Sequence, residues 1–303
     1  MTPAGVRAVI VTHRSRGEVA AAVRSCIAEG LRPSQVTVVD NASDDDTCQV
    51  VRRTAPGVRL LRLDRNLGFG RAVNRGAAGG GAPAGDAADD GAALLVLNPD
   101  AELRPGALAA MCAALDADPR RGAVSPRIDR PDGSLDLACR RSFPSPAVAL
   151  FRLSGLSRLF PRQPRLAAYN RTDRAVDQAE AIDSGSGACL LVRRTAWDRV
   201  RGFDPAYFMY GEDLDLCWRL RAAGYTVWYA PQARVLHRKG GSSRQRVVPM
   251  LWRFHGSMWR FYRQHYARGW GVLLAPGVAI GICGRLAALT VWNLVRRDPR
   301  VSR

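Results

Sequence analysis

The stretch Val6–Thr12 reads VRAVIVT, a run of mostly apolar, β-branched residues. Such a continuous run is typical of a strand that is buried on both faces of a parallel sheet. Three runs of the same kind follow along the chain: QVTVVD at 35–40, VRLLRL at 58–63 and AALLVL at 92–97. We therefore predict that the chain begins with a parallel sheet.

Helical patterns separate these strands. Residues 17–30 have a helical period and end on a glycine, and GFGRAVNRGAAGG at 68–80 continues as a helix. NASDDDT at 41–47 is predicted to start another helix, because Ser43 and Asp46 have the spacing of a capping box. Strands that alternate with helices predict an α/β fold with a mainly parallel sheet flanked by helices.

The second half of the chain is more mixed. Asp132 and Gly133 predict a hairpin turn. The remaining patterns predict a mobile loop at 79–91 and a flexible loop at 151–169, a strand at 187–194 (GACLLVRR) and a helix at 212–223. They also predict short strand and loop over 226–231 (TVWYAP) and 233–241 (ARVLHRKGG), with His237 at a strand end, and helices beyond residue 249.

The composition is that of a globular protein, with 303 residues of which 47% are hydrophobic and 24% charged. The net charge of +18 favours partners that carry phosphate, anionic lipid or nucleic acid. Nucleic acid is excluded because the sequence contains no recognisable nucleic-acid-binding module. Seven scattered cysteines without a CxxC pair favour a reducing, cytoplasmic setting over a disulfide framework or a zinc site.

Polar side chains follow each of the four predicted strands, where ligands of parallel sheets bind. Any one of them alone reads as an ordinary cap or turn residue, but together they predict a nucleotide pocket. The GFG run fails as a dinucleotide fingerprint because Val73 occupies the third glycine position. Gly68 and Gly70 fit either a tight turn or phosphate contact. The strand-end residues are Thr12 and Arg14, Asp40 and Asn41, Asn66, and Asn98 and Asp100.

The second polar cluster lies in FMYGEDLDLCWR at 208–219, which contains Glu212, Asp213 and Asp215. Acidic residues are favoured in the first turn of a helix, so the cluster has a structural interpretation. The alternative is that one carboxylate takes a proton from a substrate. Asp215 has the spacing to pair with Arg219 and is predicted to be structural.

Six segments, in order, resemble the family-2 glycosyltransferases, and most closely the rhamnosyltransferase-like branch of bacterial cell-surface polysaccharide synthesis. They are VIVTHR, VVDNASDDDT, NLGFGRAVNRG, LNPDAEL, SGACLLVRRTAWDRVRGFDPAYFMYGEDLDLCWRLRAAGYTVWY and VLHRKGGS. The resemblance covers residues 6–243. It implies a GT-A fold with Rossmann-like nucleotide-sugar binding, and an inverting single displacement from a nucleoside-diphosphate sugar.

The resemblance also implies roles for individual residues. Asp213 matches the base, and Glu212 is expected to orient the acceptor or its loop. Asp100 matches the second carboxylate of a DxD metal motif whose first position is Asn98, and His237 matches a histidine that can complete a Mg²⁺ or Mn²⁺ site. Nucleoside binding is implied for Thr12, Arg14, Asp40 and Asn41, and the diphosphate side for Asn66, Gly70 and Arg71.

The favoured donor is dTDP-rhamnose, and the implied acceptor is a polyprenyl-diphosphate-linked sugar or a glycan. Two alternatives stay open at this point. One is a galactofuranosyl- or other hexosyltransferase of the same family. The other is a non-catalytic nucleotide-sugar-binding protein, which Asn98 in place of an aspartate favours.

We predict a GT-A domain at 1–245, with a nucleotide-binding half at about 1–125 and an acceptor half at about 126–245, followed by a helical segment at 246–303. Residues 272–295 are apolar and long enough to span a bilayer. Arg285 near their middle would cost about 2.5–3.5 kcal/mol there. The preceding aromatic and arginine-rich MWRFYRQHYARGW favours peripheral attachment to the anionic cytoplasmic face of the membrane. A soluble helical pair packed on the catalytic domain is the alternative.

Overall fold

A computed structural model describes residues 1–79, 91–238 and 247–295. Most of the predicted 79–91 loop, and the end of the segment at 233–241, therefore lie outside the described residues. The strands are β1 (Val6–Thr12), β2 (Val36–Asp40), β3 (Arg59–Arg62), β4 (Ala93–Leu97), β5 (Ala101–Leu103), β6 (Arg121–Asp129), β7 (Glu180–Ile182), β8 (Cys189–Arg193) and β9 (Thr226–His237). The helices are α1 (Val19–Ala28), α2 (Thr47–Thr54), α3 (Phe69–Ala77), α4 (Ala107–Asp116), α5 (Pro146–Leu153), α6 (Leu156–Leu159), α7 (Pro164–Ala167), α8 (Arg194–Val200), α9 (Glu212–Ala222), α10 (Val247–His265) and α11 (Gly271–Val295).

The described strands form one nine-stranded sheet in the order β3-β2-β1-β4-β8-β6-β9-β5, with β7 paired to β9. The first four strands are parallel, and their register places Thr12 beside Asp40. Beyond β4 the sheet is mixed, because β8, β5 and β7 run antiparallel to their neighbours while β6 and β9 pair in parallel. The predicted α/β fold with flanking helices is confirmed, and its parallel part is concentrated in the nucleotide-binding half.

Strands β1, β2 and β4 are buried because helices cover the sheet, whereas β3, predicted to be buried on both faces, is an edge strand and only partly buried. Val9 and Val39 lie in the core, and α3 crosses both strands at Gly76. A Cβ built on Gly76 would lie 2.7 Å from Val9 and 2.8 Å from Val39. Only a glycine lets the helix approach the sheet this closely. The contact holds the C-terminal turn of α3 against β1 and β2.

Some predictions of local structure are wrong. The capping box at the start of α2 does not form: Asp46 makes no side-chain cap, and the Ser43 hydroxyl instead accepts a hydrogen bond from the Arg14 N–H at 2.9 Å. Tertiary contact has taken the capping side chain. Residues 151–169 are not an irregular loop, because the end of α5 and the short helices α6 and α7 lie there. The turn at Asp132 and Gly133 is confirmed, with Arg130 donating to the Ser134 carbonyl at 2.8 Å.

The two segments predicted at 226–231 and 233–241 form a single twelve-residue strand up to His237. Proline cannot donate to a sheet ladder, so Pro231 is an unusual residue in the middle of this strand. The strand passes it through an irregularity, where the pairing with β6 shifts from Ala230 to Arg234. This continuation carries His237 to the site described below.

The C-terminal helices pack on the rest of the chain through α9. Trp218 of α9 packs against Phe261 and His265 of α10, with ring centroids 5.8 and 4.8 Å apart. Helix α11 in turn packs against α10. Its residues Gly271–Asn293 are long and apolar enough to cross a membrane, and only 6% of the most apolar window is buried. The division into domains near residues 126 and 246 stays a prediction.

Candidate active site

The ends of β1 and β2 form the first part of the site. The Asp40 carboxylate is fully buried, and it accepts hydrogen bonds from the Thr12 hydroxyl at 3.3 Å and the Ser43 N–H at 3.2 Å. Arg14, with a φ of 54°, donates from its Nε to Asp44 at 2.6 Å. The Arg14 guanidinium lowers the pKa of Asp44. In this arrangement Asp40 organises the loop, and contact with a nucleobase would require its carboxylate to be uncovered.

An amide pair connects this loop to the turn before α3. Asn41 donates to the Asn66 side-chain oxygen at 3.0 Å and accepts from the Leu67 N–H at 2.8 Å. Asn66 in turn accepts from the Gly68 N–H at 2.9 Å. The two asparagine side chains therefore hold the turn that precedes Gly70 in place. Three residues of the predicted nucleotide site, Asn41, Asn66 and Gly70, lie at this turn.

The same turn contacts the FMYGED segment directly. Gly68 has a φ of 85°, and a Cβ built on it would lie 2.9 Å from the Phe208 Cα and closer still to the Phe208 carbonyl oxygen. That oxygen accepts a hydrogen bond from the Phe69 N–H at 2.9 Å. Gly70 approaches the Cβ of Phe203, and Arg71 donates to the Pro205 carbonyl at 2.6 Å. The predicted diphosphate side thus lies against the residues that lead into α9.

The turn between β4 and β5 holds the predicted metal ligands. Antiparallel pairing sets Ala101 of β5 beside His237 of β9. As a result His237 Nε2 lies 3.2 Å from Asp100 Oδ1, while its Nδ1 lies 3.4 Å from Asp136 Oδ2. Burial opposes protonation of His237, but its hydrogen bonds with Asp100 and Asp136 outweigh burial and raise its pKa to about 9. Without a cation this trio holds a proton between its carboxylates.

The donor set of this turn fits a divalent cation. Asp100 offers carboxylate oxygen, Asn98 amide oxygen and His237 a ring nitrogen, and Asp136 is placed as the carboxylate that orients a ligating histidine. Within the described ranges no group of three or more His, Cys, Asp or Glu side chains is arranged to enclose a metal. A cation held here would take the rest of its ligands from a diphosphate or water.

Asp213 begins α9 and is held by three donors. Its Oδ2 accepts from the Arg141 guanidinium at 2.6 Å and the Gly187 N–H at 3.2 Å, and its Oδ1 accepts from the Leu214 N–H at 2.8 Å. The Gly187 segment also contacts the metal turn, because the neighbouring Ala188 carbonyl accepts the Asn98 N–H at 2.9 Å. The predicted base and the predicted metal turn are therefore fixed to one segment.

Arg141 is the residue that the sequence interpretation missed. Its side chain is only 11% exposed, and it also donates to the Gly185 carbonyl at 2.6 Å. Burial opposes its charge, but Asp213 outweighs burial and raises the pKa of Arg141. Its position in CRRSF, far from any acidic motif, carries no distinguishing signal. Asp136, in DGSLDLAC, is unmarked for the same reason.

Glu212 is adjacent to Asp213 but lies in a more deeply buried position. Burial, with the negative charge of Asp213 added, raises the pKa of Glu212. Within the described residues its Oε2 has no hydrogen-bond partner. A protonated carboxyl at this position is a hydrogen-bond donor rather than a base.

Asp215 is structural, as predicted. It pairs with Arg219 at 2.7 Å and accepts a second contact from His265 Nε2 at 2.9 Å. The third acidic residue of the cluster therefore ties α9 to α10.

The sequence of this chain matches a known protein family and several known proteins. The Glycosyltransferase like family 2 model matches residues 3–271. The N-acetylglucosaminyl-diphospho-decaprenol L-rhamnosyltransferase of Mycobacterium tuberculosis (strain ATCC 25618 / H37Rv) is 39% identical over 244 residues, which span 79% of this chain and 78% of that protein. Rhamnosyltransferase WbbL of Escherichia coli (strain K12) is 46% identical over 56 residues, 18% of this chain and 21% of that protein.

Solved structures share the fold. The mannosyltransferase PcManGT from Pyrobaculum calidifontis, in complex with GDP-Man and Mn²⁺, superposes with a TM-score of 0.58 at 16% identity, over 99% of this chain and 83% of that one. GalNAc-T7 with UDP, GalNAc and Mn²⁺ gives a TM-score of 0.59 at 15% identity, over 87% of this chain and 48% of that one.

The fold is that of a GT-A glycosyltransferase, and the protein is an enzyme of this class. The chain belongs to glycosyltransferase family 2.

Proposed function

We propose that the enzyme transfers L-rhamnose from dTDP-rhamnose to a hydroxyl of a polyprenyl-diphosphate-linked sugar, with inversion. The observation that carries the proposal is the 39% identity, over most of both chains, to a relative whose name specifies a rhamnosyl transfer to a diphospho-decaprenol-linked N-acetylglucosamine. The reaction belongs to the synthesis of bacterial cell-surface polysaccharide.

Asp213 is the proposed base. A carboxylate offers about four acceptor sites, and the described residues fill three of them. The acceptor hydroxyl donates to the remaining site on Oδ1 and loses its proton there as its oxygen bonds to the anomeric carbon. The bond from that carbon to the diphosphate breaks in the same step, and its electron pair leaves with the nucleotide. Glu212 donates to the acceptor sugar and orients it.

Asp100 and His237 would hold Mg²⁺ or Mn²⁺, with Asn98 beside them. The cation, when bound, neutralises the charge that develops on the leaving diphosphate. Thr12, Arg14, Asp40 and Asn41 organise the nucleoside loop, while Asn66, Gly70 and Arg71 form its diphosphate side.

A donor panel tests the proposal. Purified full-length enzyme with Mn²⁺ and a polyprenyl-diphosphate-linked N-acetylglucosamine is offered dTDP-rhamnose, UDP-galactofuranose, UDP-glucose and GDP-mannose in turn. We expect product from dTDP-rhamnose, with the anomeric configuration inverted by NMR. Product from a UDP-sugar alone would show that the donor is that sugar and not dTDP-rhamnose. Retention of configuration would exclude a single displacement.

We also propose that α11 attaches the enzyme to the cytoplasmic face of the membrane. Leu273, Ile280 and Val291 recur along one stripe of α11 and are 69%, 73% and 57% exposed. Helix α11 packs along α10, so its outward stripe can lie on a bilayer while its inner stripe faces the protein. Flotation with anionic vesicles tests this: we expect the wild type to float and the Leu273→Glu/Ile280→Glu variant to remain at the bottom. Equal flotation of both would contradict it.

A further inference from the structure

A cavity of about 440 Å³ lies between α9, α10 and α11. At one end it is lined by Arg141, Glu212 and Asp213, so it is continuous with the proposed base. Its volume is within the range of about 300–1,000 Å³ that is usual for small-molecule sites. Nothing in the chemistry of the nucleotide-binding half requires this space.

The walls away from the base are apolar. Helix α10 contributes Phe254, Met258 and Phe261, and α11 contributes Leu274 and Ile282. Glycines at 277 and 281 leave the α11 wall open, since a Cβ built on either would have no atom within 4 Å. The lining therefore suits an elongated hydrocarbon group.

One cation lies in this apolar wall. Arg285 of α11 lines the cavity and donates from its guanidinium to His255 Nε2 at 2.9 Å. His255 can accept there because its Nδ1 donates to the Leu251 carbonyl at 2.7 Å, which fixes the tautomer. Burial, with the Arg285 charge added, lowers the pKa of His255 and keeps the ring neutral. His255 is thus a positioning residue that orients the guanidinium.

The catalytic end has buried polar groups with capacity for a ligand. Among the described residues, Glu212 Oε2 and Arg141 Nε have no hydrogen-bond partner. Glu212 is only 7% exposed, so leaving its oxygen unmatched is costly. A sugar hydroxyl or amide carbonyl next to Asp213 would supply the missing partners. The cavity therefore offers polar groups for a sugar, a cation and an apolar wall.

We propose that this cavity binds the lipid-linked acceptor itself: the sugar beside Glu212 and Asp213, the diphosphate at Arg285, and the first isoprene units between α10 and α11. The inference rests on the proposed function and assigns its acceptor site. A guanidinium is matched to diphosphate oxygens in charge and geometry. It also accounts for an arginine in the middle of an otherwise apolar helix, which an isolated membrane span would not favour.

The first test fills the apolar wall. Gly277→Leu puts a side chain into the cavity without a clash, while Gly284→Leu makes the same change on α11 at a position that does not line it. Both replace a helical glycine, so neither is expected to unfold the helix. With dTDP-rhamnose and the lipid acceptor in detergent, we expect Gly277→Leu to raise the acceptor KM by about tenfold, with the donor KM unchanged. Gly284→Leu should stay within about twofold of wild type.

The second test removes the positive charge of Arg285 and measures ligand binding in the absence of turnover. Titration calorimetry measures geranylgeranyl diphosphate, geranylgeraniol and inorganic diphosphate on the full-length protein. We expect Arg285→Gln to weaken geranylgeranyl diphosphate by about tenfold or more and to leave geranylgeraniol unchanged. Arg263→Gln, the same charge change at an exposed position of α10, should change neither.

The outcomes separate the two levels of the proposal. Wild-type transfer to the lipid acceptor, with KM and diphosphate binding unaffected by Gly277→Leu and Arg285→Gln, would overturn the acceptor site and leave the proposed function standing. Wild-type binding of geranylgeranyl diphosphate that both variants weaken, without transfer to the lipid acceptor, would support the site and overturn the proposed reaction. Equal binding of inorganic diphosphate and geranylgeranyl diphosphate would show a free-anion site and contradict the isoprenoid assignment.

Discussion

Arg141 donates a 2.6 Å hydrogen bond to Asp213 Oδ2, although 72 positions separate the two residues in the chain. The carboxylate at the start of α9 is therefore oriented by a cation from the loop after β6. Arg141 and Gly187 both donate to Oδ2, so Oδ1 is the oxygen with an acceptor site left for a substrate hydroxyl.

Replacing Asp213 by Asn should lower turnover by roughly a hundredfold or more, as loss of a general base does, while the donor KM changes little. Glu212→Gln is the matched comparison. Because a protonated carboxyl and an amide both donate, we expect less than about a tenfold loss there. Steady-state kinetics on the lipid acceptor measures both. The opposite ranking would assign the base to Glu212.

The Arg141–Asp213 pair should show strong coupling in stability. Arg141→Met leaves a largely buried carboxylate without its cation, which costs about 3–5 kcal/mol in such pairs. In the Arg141→Met/Asp213→Asn double variant the cost should fall short of the sum by about 0.5–3 kcal/mol. Urea unfolding of the four proteins measures this, and additive free energies would show that the pair is not coupled.

The close contact of Gly68 with Phe208 predicts that replacing this glycine by alanine costs both stability and turnover. Gly68 and Gly106 both have positive φ, 85° and 80°, but a Cβ on Gly106 would meet no atom within 4 Å. Gly106→Ala therefore carries only backbone strain, whereas Gly68→Ala adds overpacking of about 1–3 kcal/mol. We expect Gly68→Ala to be the less stable in thermal unfolding and the only one to lose most of its turnover. Equal losses would contradict the contact.

His237 predicts a pH dependence of stability in chelated protein. Its pKa is raised from 6.5 to about 9 in the folded state. The stabilisation from its protonated form is complete below pH 6.5 and is lost as the pH rises through about 9. The stability advantage of wild type over His237→Gln should therefore be greatest near pH 6 and shrink toward pH 9.5. Urea unfolding in EDTA across this range measures the difference in the free energy of unfolding. A wild-type advantage that grows with pH would contradict a protonated His237 between Asp100 and Asp136.

Activity should depend on a divalent cation. Exhaustive chelation is expected to abolish transfer, and Mn²⁺ or Mg²⁺ should restore it. Asp100→Asn should raise the Mn²⁺ concentration that is needed, because an amide replaces a carboxylate ligand. Full activity in the chelated enzyme would leave leaving-group stabilisation to the arginines alone.

The parallel half of the fold was predictable because its signal is local. Each of the four apolar runs predicts its own strand, and three of them, β1, β2 and β4, are buried. The pairing of Asp215 with Arg219 is equally local, since four residues of helix bring the two together. Such features need no knowledge of the rest of the chain.

The remaining features depend on contacts between distant segments. Ser43 has the sequence of a cap, but the Arg14 backbone takes its hydroxyl. The approach of His237 to Asp100 depends on the antiparallel pairing of β5 with β9, and β5 is too short to predict. Arg141 looks like an ordinary member of an arginine-rich chain, and only the folded arrangement brings it to Asp213. Arg285 stands out in its apolar segment, but the sequence does not show that it lines a cavity beside His255.

The turn at Gly68 also bears on the order in which the two substrates bind. Its backbone abuts Phe208, and three residues after Phe208 comes the glycine that starts α9. If the donor diphosphate binds at this turn, as proposed above, any displacement of the turn would be passed through Phe208 to Glu212 in the acceptor cavity. We therefore expect ordered binding, with the nucleotide sugar first, the acceptor second and the spent nucleotide leaving last.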